Sequence, residues 1–194
     1  MNYRIFQQGA TFVEMLEDIE LALTKLKEQT LDDGIEIDKV VLMGASAGGH
    51  LSLLYSYTHY ETSPIPIGFV VGQVPPVDFL DPNLIESANI GGYALVSMLV
   101  GETITSQNYE EHLDLIQAAS PYYQADENVP PTILAFGALD SLVPLTNGER
   151  MHQKLTDLNV PHEYFVYPSS GHGLENDPNV NTLFFEAFNN YIYL

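Results

Sequence analysis

Cysteine is absent from these 194 residues, which excludes disulfides, a thiolate nucleophile and any zinc or iron–sulfur site built on cysteine. Basic side chains are scarce. Only 6 Lys and Arg stand against 26 Asp and Glu, a formal charge of −20 at pH 7. Such a surface repels phosphate backbones and anionic lipid head groups, so nucleic-acid partners and membrane association are not expected. The acids are scattered along the chain without a long like-charged run and read as a solubilising surface. No stretch approaches the ~18 apolar residues of a membrane span. Met1 to Ala10 shows no basic region followed by an apolar one, and the expected setting is therefore soluble and cytoplasmic. Repeats, low-complexity tracts and an internal linker are lacking too, which leaves residues 1–194 as a single expected domain.

What is present is a regular alternation of periodicities. Phe12, Met15, Leu16, Ile19, Leu23 and Leu26 recur at helical spacing, with acids early and lysines late to suit the helix dipole, which predicts a helix from Thr11 to Gln29. Lys39 to Met43 is a short apolar run rich in β-branched residues that ends in glycines, the pattern of a buried strand. Ala47 to Tyr60 then reads as a helix that starts tightly at the strand's end. Ile67 to Gly72, Thr132 to Phe136 and Glu163 to Tyr167 are three further predicted strands. Pro144 can open a helix bearing Met151, Leu155 and Leu158 on one face, and Val180, Leu183, Phe184, Phe188 and Tyr191 stripe a last one. Strands alternating with helices predict an α/β fold, a mainly parallel sheet with helices on both faces. The stretch from Pro75 to Gln124 breaks the alternation. It reads as an insertion or lid-like segment over the sheet, with a helical Tyr109 to Ala119 inside it.

Gly44-Ala45-Ser46-Ala47-Gly48 has the form G-x-S-x-G, short enough to arise by chance, and its setting is what gives it weight. A strained turn between a buried strand and a helix exposes the serine oxygen, and small flanking residues avoid a clash. The competing account is that the glycines merely allow close packing and that Ser46 caps the helix. A serine hydroxyl is a weak nucleophile unless a base takes its proton, and the base needs a carboxylate to hold its tautomer. Asp140, after the strand ending at Phe136, and His172, after the strand ending at Tyr167, supply those groups in the chain order Ser, Asp, His. Both lie in loops rich in turn residues, which let side chains turn in over the C-terminal edge of the sheet. Asp78 is a rival acid, although it falls one strand too early. His50 should pack near the site, and His59, His112, His152 and His162 are not expected to be ligands. No metal site and no cofactor are expected.

On these residues, Gly-Ala-Ser-Ala-Gly-Gly-His at 44–50, Gly137 through Asp140 leading to Val143-Pro144, and Gly171-His172-Gly173, the chain resembles the esterase/lipase branch of the α/β-hydrolase superfamily. That branch includes hormone-sensitive-lipase-like enzymes and bacterial acetyl and feruloyl esterases. The resemblance covers nearly the whole chain. It implies Ser46 as nucleophile, His172 as general base and acid, Asp140 as its orienting carboxylate, and the Ala47 backbone N–H as an oxyanion donor. Asn2-Tyr3-Arg4 resembles a Tyr-Arg pair that follows an early central strand in this branch, so the resemblance implies a partial α/β-hydrolase fold without its early N-terminal strands. The His-Gly-Gly type of loop, which in the family supplies further oxyanion donors, has no counterpart here, and loss of one such donor typically costs about 3 kcal/mol of transition-state stabilisation. The Lys39 to Met43 strand would then carry a bare edge, for which a homodimer, a partner chain or a rearranged N-terminus is expected. The expected activity is that of a serine carboxylesterase on small-molecule esters with small acyl groups, working through an acyl-enzyme. The alternative is a truncated or degenerate hydrolase with little activity, serving as a binding or structural subunit.

Overall fold

In the computed structural model, which describes residues 3–87, 89 and 91–193, the helix predicted near the N-terminus runs as α1, Phe12–Asp32. Its start follows from sequence chemistry. Thr11 accepts a hydrogen bond from the Val13 N–H, and Glu14 reaches back to the Thr11 N–H in a capping box. The helix continues through Thr30, Leu31 and Asp32 beyond Gln29, and it stops where Asp33 and Gly34 close the last turn.

Four strands follow: β1 (Val40–Ala45), β2 (Ile67–Gln73), β3 (Thr132–Gly137) and β4 (His162–Tyr167). They lie in the order β1-β2-β3-β4, and every pairing is parallel. Parallel neighbours need crossovers. Those crossovers are α2 (Ala47–His59) between β1 and β2, the long segment 75–124 between β2 and β3, and α7 (Leu145–Asp157) between β3 and β4. The chain ends in α8, Pro178–Ile192.

Alternation along the strands divides the interior by face. Val70, Leu134 and Phe136 pack with Leu53 of α2 and Met151 and Leu155 of α7. Phe69, Val71, Ile133 and Ala135 point the other way, against Phe184 of α8. β3 is buried along its whole length, whereas β1, at the end of the sheet, is partly open, as its position dictates. Among the described residues β1 pairs with β2 alone, and Met43 is 46% exposed.

Segment 75–124 contains α3 (Pro82–Ile85), α4 (Gly92–Val100), a 3-10 turn (Tyr109–His112), α5 (Leu113–Ala118) and α6 (Pro121–Gln124). The single helix predicted from Tyr109 is therefore split. His112 leaves helical backbone values at φ −120°, ψ 17°, and its ring bonds back to the Asn108 carbonyl. Phe79, Leu84, Val96, Leu99 and Ile116 of this segment are buried in one cluster with the apolar face of α1. Among the described residues no helix is long and apolar enough to cross a membrane.

Candidate active site

The candidate nucleophile sits where β1 meets α2. Ser46 has φ 51° and ψ −122°, a left-handed conformation that a non-glycine residue holds only when its surroundings over-determine it. The restraints are visible. The Ser46 N–H donates to the Gln73 carbonyl of β2 at 2.8 Å, and the Ser46 carbonyl accepts the His50 N–H at 2.9 Å. Gly44 allows the tight return, since a Cβ there would stand 2.3 Å from the Gly48 carbonyl carbon. On the neighbouring strand, Val74 also has a positive φ, 46°, and its N–H donates to Ala135 of β3 at 2.7 Å. Two strained residues thus stand side by side on adjacent strand ends. The Ser46 side chain accepts no capping bond, so the account of it as a simple helix cap does not describe the structure. Ala47, the first residue of α2, has an N–H with no intrahelical acceptor, free to meet a developing negative charge.

Asp140 and His172 come together after β3 and β4. The His172 Nδ1–H donates to Asp140 Oδ2 at 2.7 Å, and the acid side chain is fully buried while the imidazole is 27% exposed. The other carboxylate oxygen, Oδ1, accepts the backbone N–H groups of Leu142 and Val143 at 2.8 and 3.0 Å. A carboxylate so held fixes the imidazole with Nδ1 protonated and leaves Nε2 bare as a proton acceptor. The two loops are laced together: the Leu139 N–H donates to Ser170, and the Ala138 N–H to Tyr167, each at 3.0 Å. Gly137 is required for that approach, because a Cβ there would lie 2.2 Å from the Gly171 carbonyl oxygen. Ser46, Asp140 and His172 all follow the C-terminal ends of parallel strands, hence the same edge of the sheet. Among the described residues no hydrogen bond joins Ser46 Oγ to His172; the bonded part of the arrangement is Asp140 with His172.

Asp78, the rival acid, is elsewhere engaged. It is fully buried and ion-paired with Arg150, at 2.6 Å to Nη2 and 2.7 Å to Nε. His50 does pack behind the serine turn: its Nε2–H donates to the Ala119 carbonyl at 2.7 Å, and its ring meets Phe79 edge-on. Complete burial pushes its pKa down to about 4, so it is neutral. His59 stacks on Tyr55. His152 and His162 form a pair. The His162 Nδ1–H donates to Val160, and its bare Nε2 accepts the His152 Nδ1–H at 2.8 Å.

Several supporting residues escaped the sequence reading. Asp177 binds the histidine loop through the Ser169 N–H and the Ser170 hydroxyl, and Ser170 Oγ in turn accepts the Asn176 N–H. The Asp-Pro step at the start of α8 was the available signal. Asn147, in the first turn of α7, is buried; its Oδ1 accepts the N–H groups of Val77 and Asp78, and its Nδ2 donates to the Asp78 carbonyl and to Asp81. Nothing local in the sequence marks a helical Asn for that task.

A parallel sheet with a strained serine turn after one strand, and an acid and a histidine after later strands, defines the α/β-hydrolase class. Comparison with known proteins goes one step further. The chain belongs to the BD-FAE family of α/β-hydrolase esterases, whose model matches residues 1–155. It is 26% identical over 168 residues to esterase LipC of Mycobacterium tuberculosis strain ATCC 25618 / H37Rv, covering 81% of this chain and 40% of LipC. The same organism's probable carboxylic ester hydrolase LipM is 27% identical, with 90% of this chain and 41% of LipM covered. The chain thus spans about two-fifths of the length of these relatives. Among solved structures, a truncated carbohydrate esterase from gut microbiota superposes with a TM-score of 0.78 at 18% identity, covering 98% of this chain and 71% of that one. A bacterial heroin esterase gives 0.70 at 21% identity, with 98% and 62% covered. These likenesses establish the fold.

Proposed function

We propose that this chain is a serine carboxylesterase that hydrolyses esters of small acyl groups through a Ser46–His172–Asp140 triad. The observation that carries the reading is the buried Asp140 carboxylate held against His172 Nδ1 at the sheet edge where Ser46 occupies its strained turn. His172 Nε2 takes the proton of Ser46 Oγ as that oxygen attacks the ester carbonyl. The oxyanion faces the Ala47 N–H. The carbon–oxygen bond to the alcohol then breaks, with the proton on Nε2 passing to the departing oxygen, and an acyl-serine remains. Water, deprotonated by the same nitrogen, attacks the acyl carbon; Ser46 leaves with its proton restored and the acid is released.

The test is hydrolysis of p-nitrophenyl acetate and butyrate by the 194-residue chain beside its Ser46→Ala variant, with a fluorophosphonate to report on serine reactivity. Turnover and labelling that vanish in the variant support the reading. Equal rates in both proteins and no labelling would overturn it.

A second reading, a hydrolase-derived binding or structural subunit, is favoured by the edge of β1, which pairs on one side alone among the described residues. Sedimentation of the purified chain decides whether that edge recruits a second copy.

A further inference from the structure

His172 lies between two glycines, Gly171 and Gly173, which bring no side chain to fix the backbone around it. Its imidazole is 27% exposed and is held by one bond, from the Nδ1–H to Asp140. A ring tied at a single point can still swing. Where Nε2 stands is therefore decided by the residues just outside the two glycines.

We propose that Asp177 is a positioning residue for His172: its carboxylate closes residues 169–177 into a ring and so keeps Nε2 within reach of Ser46 Oγ. The assignment rests on the triad reading above.

Asp177 stands at the N-cap of α8, where an aspartate ordinarily accepts N–H groups of its own first turn. It makes no such bond. The side chain turns back instead, taking the Ser169 N–H on both oxygens at 3.2 and 3.0 Å and the Ser170 hydroxyl on Oδ2 at 2.6 Å. Hydrogen bonds to a carboxylate are of the stronger, charge-assisted kind. The helix forgoes its own cap, and the loop gains a closed base.

Ser170 carries that hold onward. It is fully buried, its Oγ also accepts the Asn176 N–H at 2.9 Å, and its carbonyl accepts the Leu139 N–H at 3.0 Å. One residue thus joins the start of α8, the histidine loop and the loop that delivers Asp140. On the other side of His172, Leu174 takes a left-handed φ of 56° and packs against the cluster of Phe69, Ile133 and Phe184. A non-glycine residue keeps such a value only where its surroundings compel it. His172 is suspended between a polar anchor before it and an apolar one after it, and Asp177 supplies the charge of the polar one.

The experiment measures kcat and KM for p-nitrophenyl acetate, the rate of fluorophosphonate labelling and thermal unfolding. It uses the wild-type chain and Asp177→Ala, Asp177→Asn, Ser170→Ala and Val180→Ala. Acylation and deacylation both pass through His172 Nε2, so its misplacement in Asp177→Ala should lower kcat by roughly tenfold to a hundredfold. KM should stay within about twofold, because no contact with substrate is lost. Labelling of Ser46 should slow by the same factor as kcat. Asp177→Asn keeps one acceptor oxygen and should lose less. Ser170→Ala should resemble Asp177→Ala, and the double variant should lose no more than either one, since the two residues act in series. Val180, in the first turn of α8, packs on the same apolar cluster and makes none of these hydrogen bonds. Its variant should lower the thermal midpoint and leave kcat unchanged.

Should Asp177→Ala not fold, the near-isosteric Asp177→Asn carries the same comparison. A folded variant with kcat and labelling within about twofold of wild type overturns the assignment while the esterase reading stands. So does a loss confined to KM, or one that Val180→Ala reproduces. Absence of both turnover and labelling in wild type overturns both readings.

Discussion

His50 shows what a single residue's surroundings decide. It follows the glycines of the serine turn, yet its ring lies fully buried against Phe79 with its Nε2–H given to Ala119, which pushes its pKa from the ordinary 6.5 down to about 4. A depressed histidine is neutral in the fold but protonated in the unfolded chain once pH drops below 6.5. Stability is thus intact above that value and is lost as pH falls toward 4, by up to about 3 kcal/mol from this one group. Urea unfolding of wild type and His50→Gln between pH 7 and pH 4 checks this: the difference between the two curves should narrow as the medium is acidified. Ser46, Asp140 and His172 were legible as residues because each belongs to a short motif in a recognisable setting. Val74 was not, since its positive φ goes with a hydrogen bond to β3, more than sixty residues away, and with no motif around it.

Between elements, buried polar side chains hold the loops that the strands deliver. Asn147 of α7 satisfies the two N–H groups of Val77 and Asp78 after β2 and donates to the Asp78 carbonyl and to Asp81. Asn147→Ala strands those groups in the interior and should cost roughly 2–4 kcal/mol, read as a lower urea midpoint with an unchanged slope. The nearby Asp78–Arg150 pair has its acid fully buried and belongs to the same tie between the β2 loop and α7. The His152–His162 pair joins α7 to β4 on one shared proton. Burial and the neighbouring imidazole both lower the His152 pKa, so this contact too favours neutral pH. Helix positions were readable because apolar periodicity is local. These cross-element ties were not, since they depend on partners tens of residues away, and the split at His112 turns on a side-chain bond to Asn108 that apolar periodicity does not carry.

Over the whole molecule, a net charge of −20 is carried mostly on the surface, where like charges repel in the compact state more than in the extended chain. Raising NaCl from about 10 mM to about 300 mM shortens the screening length from roughly 30 Å to below 8 Å. The thermal midpoint should therefore rise with salt, and scanning calorimetry across that range measures it; a flat or falling midpoint would show that the acids are already locally compensated.

Composition and pattern alone determined the succession of strands and helices, the parallel sheet they imply, and the choice of Ser46, Asp140 and His172 as candidates. Each of these is written in local periodicity or in a short motif, where backbone geometry and side-chain type constrain each other directly. The tertiary structure decided which acid meets His172, that Asp78 is consumed by Arg150, and that segment 75–124 contributes to the core beside α1. Those outcomes depend on which distant side chains compete for the same buried space and the same hydrogen bonds, a contest settled only when the chain has closed on itself.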